Sequence, residues 1–195
     1  MSEGLDRWTN KVALITGATT GIGWAIAQAF AEAGLDIVIT ARTVATLERR
    51  VEELKRTGRK VLSIPTDLQV PEQIARLFAE IRKEWSGIDV LVNSAGVVWR
   101  ESLLETNLDR LCSMIDTNQR AVAIAMSEAV KDMEDKEDAA IINIGSIAGH
   151  RVPPSGRRAT LYASTKYALR AMTEGVRAEL HARGSKIKIS LISPG

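Results

Sequence analysis

Residues Lys11–Gly23 read K-V-A-L-I-T-G-A-T-T-G-I-G, an apolar run that ends in three closely spaced glycines. Val12–Ile15 carries no charge and is aliphatic throughout, which suits a strand covered on both faces, as in a parallel sheet. A helical pattern, Ile22–Ala33, follows at once, so the stretch is a strand, a tight turn and a helix in succession. The same alternation then recurs along the chain. With Lys11–Thr16, apolar runs at Asp36–Ala41, Lys60–Pro65, Asp89–Asn93, Ala140–Gly145 and Ile187–Ser193 give six strands. Helical patterns at Val44–Arg56, Pro71–Trp85, Leu108–Met133 and Tyr162–Ala182 separate them. Gly34 and Gly58 follow the first two helices, Pro71 opens the third and Gly184 closes the last, the residues that helix ends favour. Parallel neighbours need crossover connections, and these are right-handed, so the alternation predicts an α/β fold. The expected form is a doubly wound parallel sheet with helices on both faces. No composition break or fixed-period repeat divides residues 1–195, which read as a single domain.

Composition excludes several classes. With 26 Lys plus Arg against 24 Asp plus Glu, the net charge of +2 is too small for the basic field of a dedicated nucleic-acid binder. The apolar runs are strand-length, far short of the roughly 20 residues of a membrane span. Met1–Lys11 lacks the apolar core of a secretory signal. Cys112 is the single cysteine, so neither an internal disulfide nor a cysteine zinc site can form. A soluble, cytoplasmic protein is expected. The charge-dense Lys131–Asp138 reads as a solvated helix end, and Arg151–Leu161, with Pro153, Pro154 and Gly156, as a loop.

The turn Thr16–Gly23 also carries chemistry. Glycines let the backbone turn tightly and approach a pyrophosphate, and the following helix start offers free N–H groups and a positive dipole end. The spacing here is G-x-x-x-G-x-G. A dinucleotide site specific for NAD usually has an acid about 20 residues beyond the glycines, for the ribose 2′-hydroxyl. In this chain Arg42 stands 19 residues after Gly23, and the nearest acid, Asp36, lies at the start of the second strand. A guanidinium there can pair with a 2′-phosphate. The expected cofactor is therefore NADP(H) in preference to NAD(H).

Tyr162 and Lys166 are four residues apart in a helical pattern, on one face. A phenol with a pKa of about 10 transfers protons poorly at neutral pH, and a cation within about 4–6 Å brings it into range. Ser146 follows the buried run Ile141–Gly145, at the strand end outside which ligands bind in open α/β sheets. His150 and His181 have no accompanying metal-ligand cluster, and no metal is expected.

Together these residues resemble the short-chain dehydrogenase/reductase family from Lys11 to Gly195. The resemblance is carried by T-G-x-x-x-G-I-G at Thr16–Gly23, Asp67, N-S-A-G at Asn93–Gly96, Asn118, Ser146, Tyr162, Lys166 and Pro194-Gly195. A narrower likeness is to the subgroup of vertebrate dehydrogenase/reductase member 11 and insect NADP-dependent farnesol dehydrogenases. It rests on Arg7-Trp8, Ala41–Thr43, Gly149–Arg151 and Thr173–Leu180. The family resemblance implies a Rossmann-type sheet of seven strands, six of them visible here. It implies that Tyr162 is the general acid or base, that Ser146 binds the substrate oxygen, and that Lys166 tunes Tyr162 and binds the nicotinamide ribose. Asn118 would hold a relay water. Gly17, Thr20, Gly21, Ile22, Gly23, Arg42, Asp67, Leu68, Asn93, Ala95, Gly96, Pro194 and Gly195 would contact the cofactor, although Asn93 also ties neighbouring strands in the family. The substrate would be a small carbonyl or alcohol, lipophilic if Val98, Trp99, Val152 and Leu161 line its pocket. Pairing of the two long helices would give a homodimer or homotetramer.

Three features depart from the family pattern. Ser94 replaces a second asparagine, Gln119-Arg120 stands where an apolar and a small residue are usual, and Ser146 to Tyr162 spans 16 positions, which predicts an outward bulge at Pro153–Arg158. Family members continue past Pro194-Gly195 with a seventh strand and a substrate lid, without which the last strand is an exposed edge. The chain thus reads as truncated. An active oxidoreductase, a cofactor-binding but catalytically impaired homologue, and a fragment all remain compatible with the sequence.

Overall fold

The computed structural model describes residues 6–154 and 157–195. Its parallel strands are β1 (Val12–Thr16), β2 (Asp36–Ala41), β3 (Val61–Pro65), β4 (Val90–Asn93), β5 (Ala140–Ile144) and β6 (Lys188–Ile192). They form one sheet in the order β3-β2-β1-β4-β5-β6. The α-helices are α1 (Gly21–Glu32), α2 (Val44–Lys55), α3 (Pro71–Glu84), α4 (Leu108–Ile115), α5 (Ala121–Met133) and α6 (Thr160–Ala182). Every strand end falls within one residue of the boundary expected from the apolar runs.

The alternation of side chains along each strand divides the core in two. Ala13, Ile15, Ile37, Ile39, Val90 and Val92 pack with Ala27 and Ala31 of α1 and Leu47 and Leu54 of α2. Leu14, Val38, Leu91 and Ile141 point the other way, towards Ile74, Phe78 and Ile81 of α3, Met126 and Ala129 of α5 and Leu169 of α6. Burying a side chain such as Phe78 contributes about 1.5–3 kcal/mol, which explains why strands apolar on both faces need helices on both faces. Along α1 the buried residues are Gly23, Ala27 and Ala31, a stripe at four-residue spacing small enough to bring the helix close to the sheet.

One helix differs from expectation. Leu108–Met133 is not continuous α-helix, because α4 and α5 are joined by a π turn, Asp116–Arg120, in which the Ala121 N–H bonds the Asp116 carbonyl. The extra residue buries Thr117 and Asn118, and such bulges often mark functional sites. The segment Lys131–Asp138 is also more than a solvated end. Lys136 Nζ lies 3.0 Å from Asp89, a buried carboxylate that also accepts from the Val12 N–H at 2.8 Å. Of the Pro153–Arg158 loop, residues 155 and 156 lie outside the described residues, so the expected bulge goes undescribed there.

Strand order reverses between β1 and β4. Thr16 sits opposite Thr40 of β2 on one side and Asn93 of β4 on the other. The carboxyl ends of these strands diverge into a crevice, the place where open α/β sheets bind ligands.

Candidate active site

That crevice is a cleft of about 600 Å³. Among the residues lining it are Gly17, Thr20, Gly21, Ile22 and Gly23 from the first turn, Arg42 from the end of β2, Asp67 and Leu68 after β3, and Ala95 and Gly96 after β4. The sequence nominated each of these as a cofactor contact. Gly17 has a left-handed φ of +66°, and a Cβ there would stand 2.7 Å from the Ala95 Cα. Only glycine allows the β1 turn to lie this close to the β4 loop. A Cβ at Gly23 would stand 2.5 Å from the Gly17 carbonyl oxygen, so the helix start is pressed against the turn as well. Gly21, with φ +57°, instead faces open space, and no heavy atom lies within 4 Å of its would-be Cβ. Thr20 heads α1 without a side-chain cap, leaving the first-turn N–H groups to a ligand. A dinucleotide's pyrophosphate fits this donor set and this space.

The remaining walls are tied down by side chains. Thr16 Oγ1 accepts from the Ser94 and Ala95 N–H groups, each at 3.1 Å, and fixes the β4 loop against β1. Asp36 is spent at the far end of β2, where Arg59 Nη2 lies 2.7 Å from its Oδ1, so the strand offers no acid to a ribose at the cleft. Asp67 Oδ1 accepts from the Gln69 N–H at 3.0 Å within its own turn. Arg120, unusual for the family pattern, donates from Nη2 to the Gln69 carbonyl at 2.8 Å and pairs with Asp116 at 3.2 Å. It braces the π turn against the loop after β3, which accounts for a charged residue at this position.

Asn118, Ser146, Tyr162 and Lys166 do not themselves line the cleft but lie beyond the side formed by Gly96 and Ile144. There Lys166 is buried, and its Nζ donates to the Ile144 carbonyl at 2.8 Å. Nζ lies 5.8 Å from the centre of the Tyr162 ring, one helical turn away. Burial pushes the Lys166 ammonium down to about 8, because a desolvated cation gives up its proton more readily. Asn118 Oδ1 accepts from the Val97 N–H at 2.9 Å, and its Nδ2 donates to the Val97 carbonyl at 2.9 Å and to Thr165 Oγ1 at 3.1 Å. Thr165 in turn donates to the Tyr162 carbonyl at 2.8 Å. Gly96 joins this cluster to the cleft, since a Cβ there would stand 3.4 Å from Asn118 Oδ1 and 3.9 Å from Lys166 Nζ. Ser146 heads a short 3-10 turn, Ile147–Gly149, and its Oγ accepts from the Ala148 N–H at 3.1 Å. Gly149 presses that turn onto α6, where a Cβ would stand 2.8 Å from the Lys166 carbonyl oxygen.

Other nominated residues lie elsewhere. Asn93 does not line the cleft; its Nδ2 donates to Asn143 Oδ1 at 2.9 Å, and Asn143 donates onward to Thr173 Oγ1 at 2.9 Å, tying β4, β5 and α6 together. Pro194 accepts from the Ile147 N–H at 3.0 Å and so supports the Ser146 turn, while Gly195 stands in open space. Val98, Trp99 and Val152 are exposed, and with the half-buried Leu161 they lie outside the nucleotide cleft. His150 Nε2 lies 2.9 Å from Ser193 Oγ and bridges the Ser146 turn to the end of β6. Among the described residues no cluster of His, Cys, Asp and Glu could hold a metal, and no helix is long and apolar enough to cross a membrane. Thr16 and Gly149 entered the sequence reading only as members of motifs, with no role of their own, and Thr165 was given none. Gly149, in S-I-A-G directly after the fifth strand, is the one with a visible signal.

Comparison with known proteins gives a consistent picture. A family model described as short chain dehydrogenase matches residues 11–195. Dehydrogenase/reductase SDR family member 11 of Bos taurus is 40% identical over 195 residues, covering 98% of this chain and 76% of the relative. Farnesol dehydrogenase of Aedes aegypti is 37% identical, covering 98% of this chain and 79% of the relative. Among solved structures, a metagenomic short-chain oxidoreductase in complex with NADP superimposes with a TM-score of 0.89 at 30% identity, covering 96% of this chain and 83% of the other. A short chain dehydrogenase/reductase from Burkholderia phymatum in complex with NAD gives 0.90 at 29%, covering 96% and 66%.

Proposed function

The chain belongs to the short-chain dehydrogenase family, and we propose that it transfers hydride between NADP(H) and a lipophilic carbonyl or alcohol, with Tyr162 as the general acid or base. The observation that carries this reading is the junction at Gly96, where the nucleotide cleft meets Asn118 and the buried Lys166. When bound there, the nicotinamide supplies or accepts the hydride.

The chain's own groups handle the proton and the developing charge. In carbonyl reduction the Tyr162 hydroxyl donates to the substrate oxygen, and in alcohol oxidation it takes that proton back. The Lys166 ammonium, one turn along α6, stabilises the phenolate and lowers the cost of either step. Ser146 uses an Oγ lone pair on the Ala148 N–H, which leaves its own proton free to donate to the substrate oxygen as charge builds there. The Asn118 side chain is occupied by Val97 and Thr165. These contacts brace the π turn and leave one Oδ1 lone pair, on which Asn118 would hold the water that relays protons to Lys166.

Preference for the 2′-phosphate rests on Arg42 in the cleft wall and on the removal of Asp36 to the opposite end of β2. A lipophilic substrate is supported by the exposed Val98, Trp99 and Val152 on the loops after β4 and β5, and by the farnesol dehydrogenase named among the relatives. A homodimer or homotetramer would use the apolar groove between α5 and α6, lined by Met126, Val130, Met172 and Val176.

Thermal unfolding of the chain with saturating NADPH or NADH is the test. Nucleotide at 100 times its Kd should add about 2.7 kcal/mol to stability, with NADPH raising the melting temperature more than NADH. Equal shifts remove the cofactor preference, and no shift with either removes the oxidoreductase reading.

A further inference from the structure

Arg50 of α2 makes three contacts at once. Its Nε donates to the Thr19 carbonyl at 3.0 Å, its guanidinium stacks 4.0 Å from the centre of the Trp24 ring on α1, and its Nη1 lies 2.7 Å from Glu53 Oε2. The side chain is 17% exposed, so these contacts lie largely out of water and are stronger than those of a surface arginine. Glu53 offsets its charge, which makes Arg50 a poor direct partner for a phosphate.

The geometry points to a different use. Thr19 and Thr20 both line the nucleotide cleft. A peptide is planar and trans, so the Thr20 N–H must point opposite to the Thr19 carbonyl. Gripping that carbonyl from the α2 side turns the Thr20 N–H away from Arg50. The neighbouring turn needs such fixing, because Gly17 and Gly21 permit many backbone conformations and Thr20 has no side-chain cap to hold it. We propose that Arg50 is a positioning residue of the nucleotide site: stacked on Trp24 and bonded to Thr19, it sets the peptide plane that presents the Thr20 N–H to the phosphates. This rests on the nucleotide-binding reading above. It gives the two arginines separate tasks, with Arg42 reading the 2′-phosphate and Arg50 shaping the turn for either nucleotide.

Direct titration of NADPH and NADH against the full chain, at a temperature where every variant is folded, separates the possibilities. Arg50→Gln should raise Kd about tenfold for both nucleotides, whereas Arg42→Ala should raise it for NADPH alone. Arg50→Lys keeps the charge but cannot stack and bond in one plane, so it should recover little. Trp24→Phe keeps a ring under the guanidinium and should bind nearly as the parent does. A lower melting temperature with unchanged Kd would make Arg50 a brace between α1 and α2 and overturn the proposal. A loss confined to NADPH would make it a direct phosphate ligand, with the same consequence. If Arg50→Gln does not fold, Arg50→Lys decides by the same two criteria. Wild-type chain that binds neither nucleotide fails the cofactor reading itself, whereas wild-type binding matched by every Arg50 variant fails only this inference.

Discussion

The glycine-rich end of the cleft and the side-chain cluster beyond Gly96 are made of different material. Around Gly17 and Gly23 the wall is main chain, shaped by what is missing: side chains that would collide with Ala95 or with the turn itself. Around Ser146, Tyr162 and Lys166 the groups proposed to react are side chains. Lys166 Nζ is held by the Ile144 carbonyl, Ser146 Oγ by the Ala148 N–H, and the α6 main chain at Tyr162 is tied through Thr165 to Asn118. A wall of backbone fails when atoms are added, and a cluster of side chains fails when atoms are removed. The nucleotide end should therefore be sensitive to a methyl group, and the reacting end to the loss of one oxygen.

Tyr162→Phe puts the second half of that contrast to its hardest test. Removing the phenolic oxygen should cut turnover about 10³-fold, in the range for a lost general acid, while NADPH binds as before because the cleft wall is untouched. Steady-state kinetics beside a nucleotide titration measures both. Substantial turnover in the variant would place the proton donor elsewhere. Gly17→Ala runs the converse experiment with a single added methyl. The new Cβ would meet main-chain atoms of Ala95, which have no flexible end to swing aside, in a backbone conformation that alanine disfavours. Such strain costs about 1–3 kcal/mol before any clash, so NADPH affinity should fall by about 100-fold. Gly58→Ala is the control, since Gly58 has φ +77° but open space around it and no place in the cleft. It should lose stability and keep binding. Normal affinity in Gly17→Ala would mean that the turn adapts, and the contrast between the two ends would collapse.

These two substitutions also mark how far the sequence could be read. Most strands were legible because apolar residues cover both of their faces, although β6 exposes Lys188, Ser190 and Ile192 along one face. The glycine turn was legible because its spacing sits between a strand and a helix. The Tyr162–Lys166 pair was legible because helical periodicity alone brings residues four apart onto one face. The π turn was not, since a repeat of 3.6 absorbs one extra residue without breaking the pattern of Leu108–Met133. Contacts across the chain were equally hidden. Nothing in the sequence around Thr16 says that its hydroxyl will meet the main chain of Ser94 and Ala95, and nothing around Arg50 points to Thr19. Asn93 shows a different limit: family likeness assigned it both to the cofactor and to strand pairing, and only the approach of Asn143 reveals which contact its side chain makes.

The smallest effect concerns charge, where the two ends differ again. Arg42 is exposed and keeps its hydration, whereas Lys166 is buried with a pKa lowered to about 8. A folded-state pKa below the unfolded value of 10.5 means that the unfolded chain holds this proton more tightly. The buried charge thus penalises folding in full below about pH 8, and the penalty fades as pH rises towards that of the unfolded lysine. Lys166→Met carries no such charge. Comparing the unfolding free energies of the two proteins should show the wild type gaining about 2 kcal/mol on the variant between about pH 7.5 and about pH 9.5. A gap that stays flat over that range would mean that Lys166 titrates like a solvated lysine. Its nearness to Tyr162 would then be the whole of its influence on the phenol, with no help from a dry surrounding, and the reacting end would lose the feature that separates its cation from the one in the nucleotide wall.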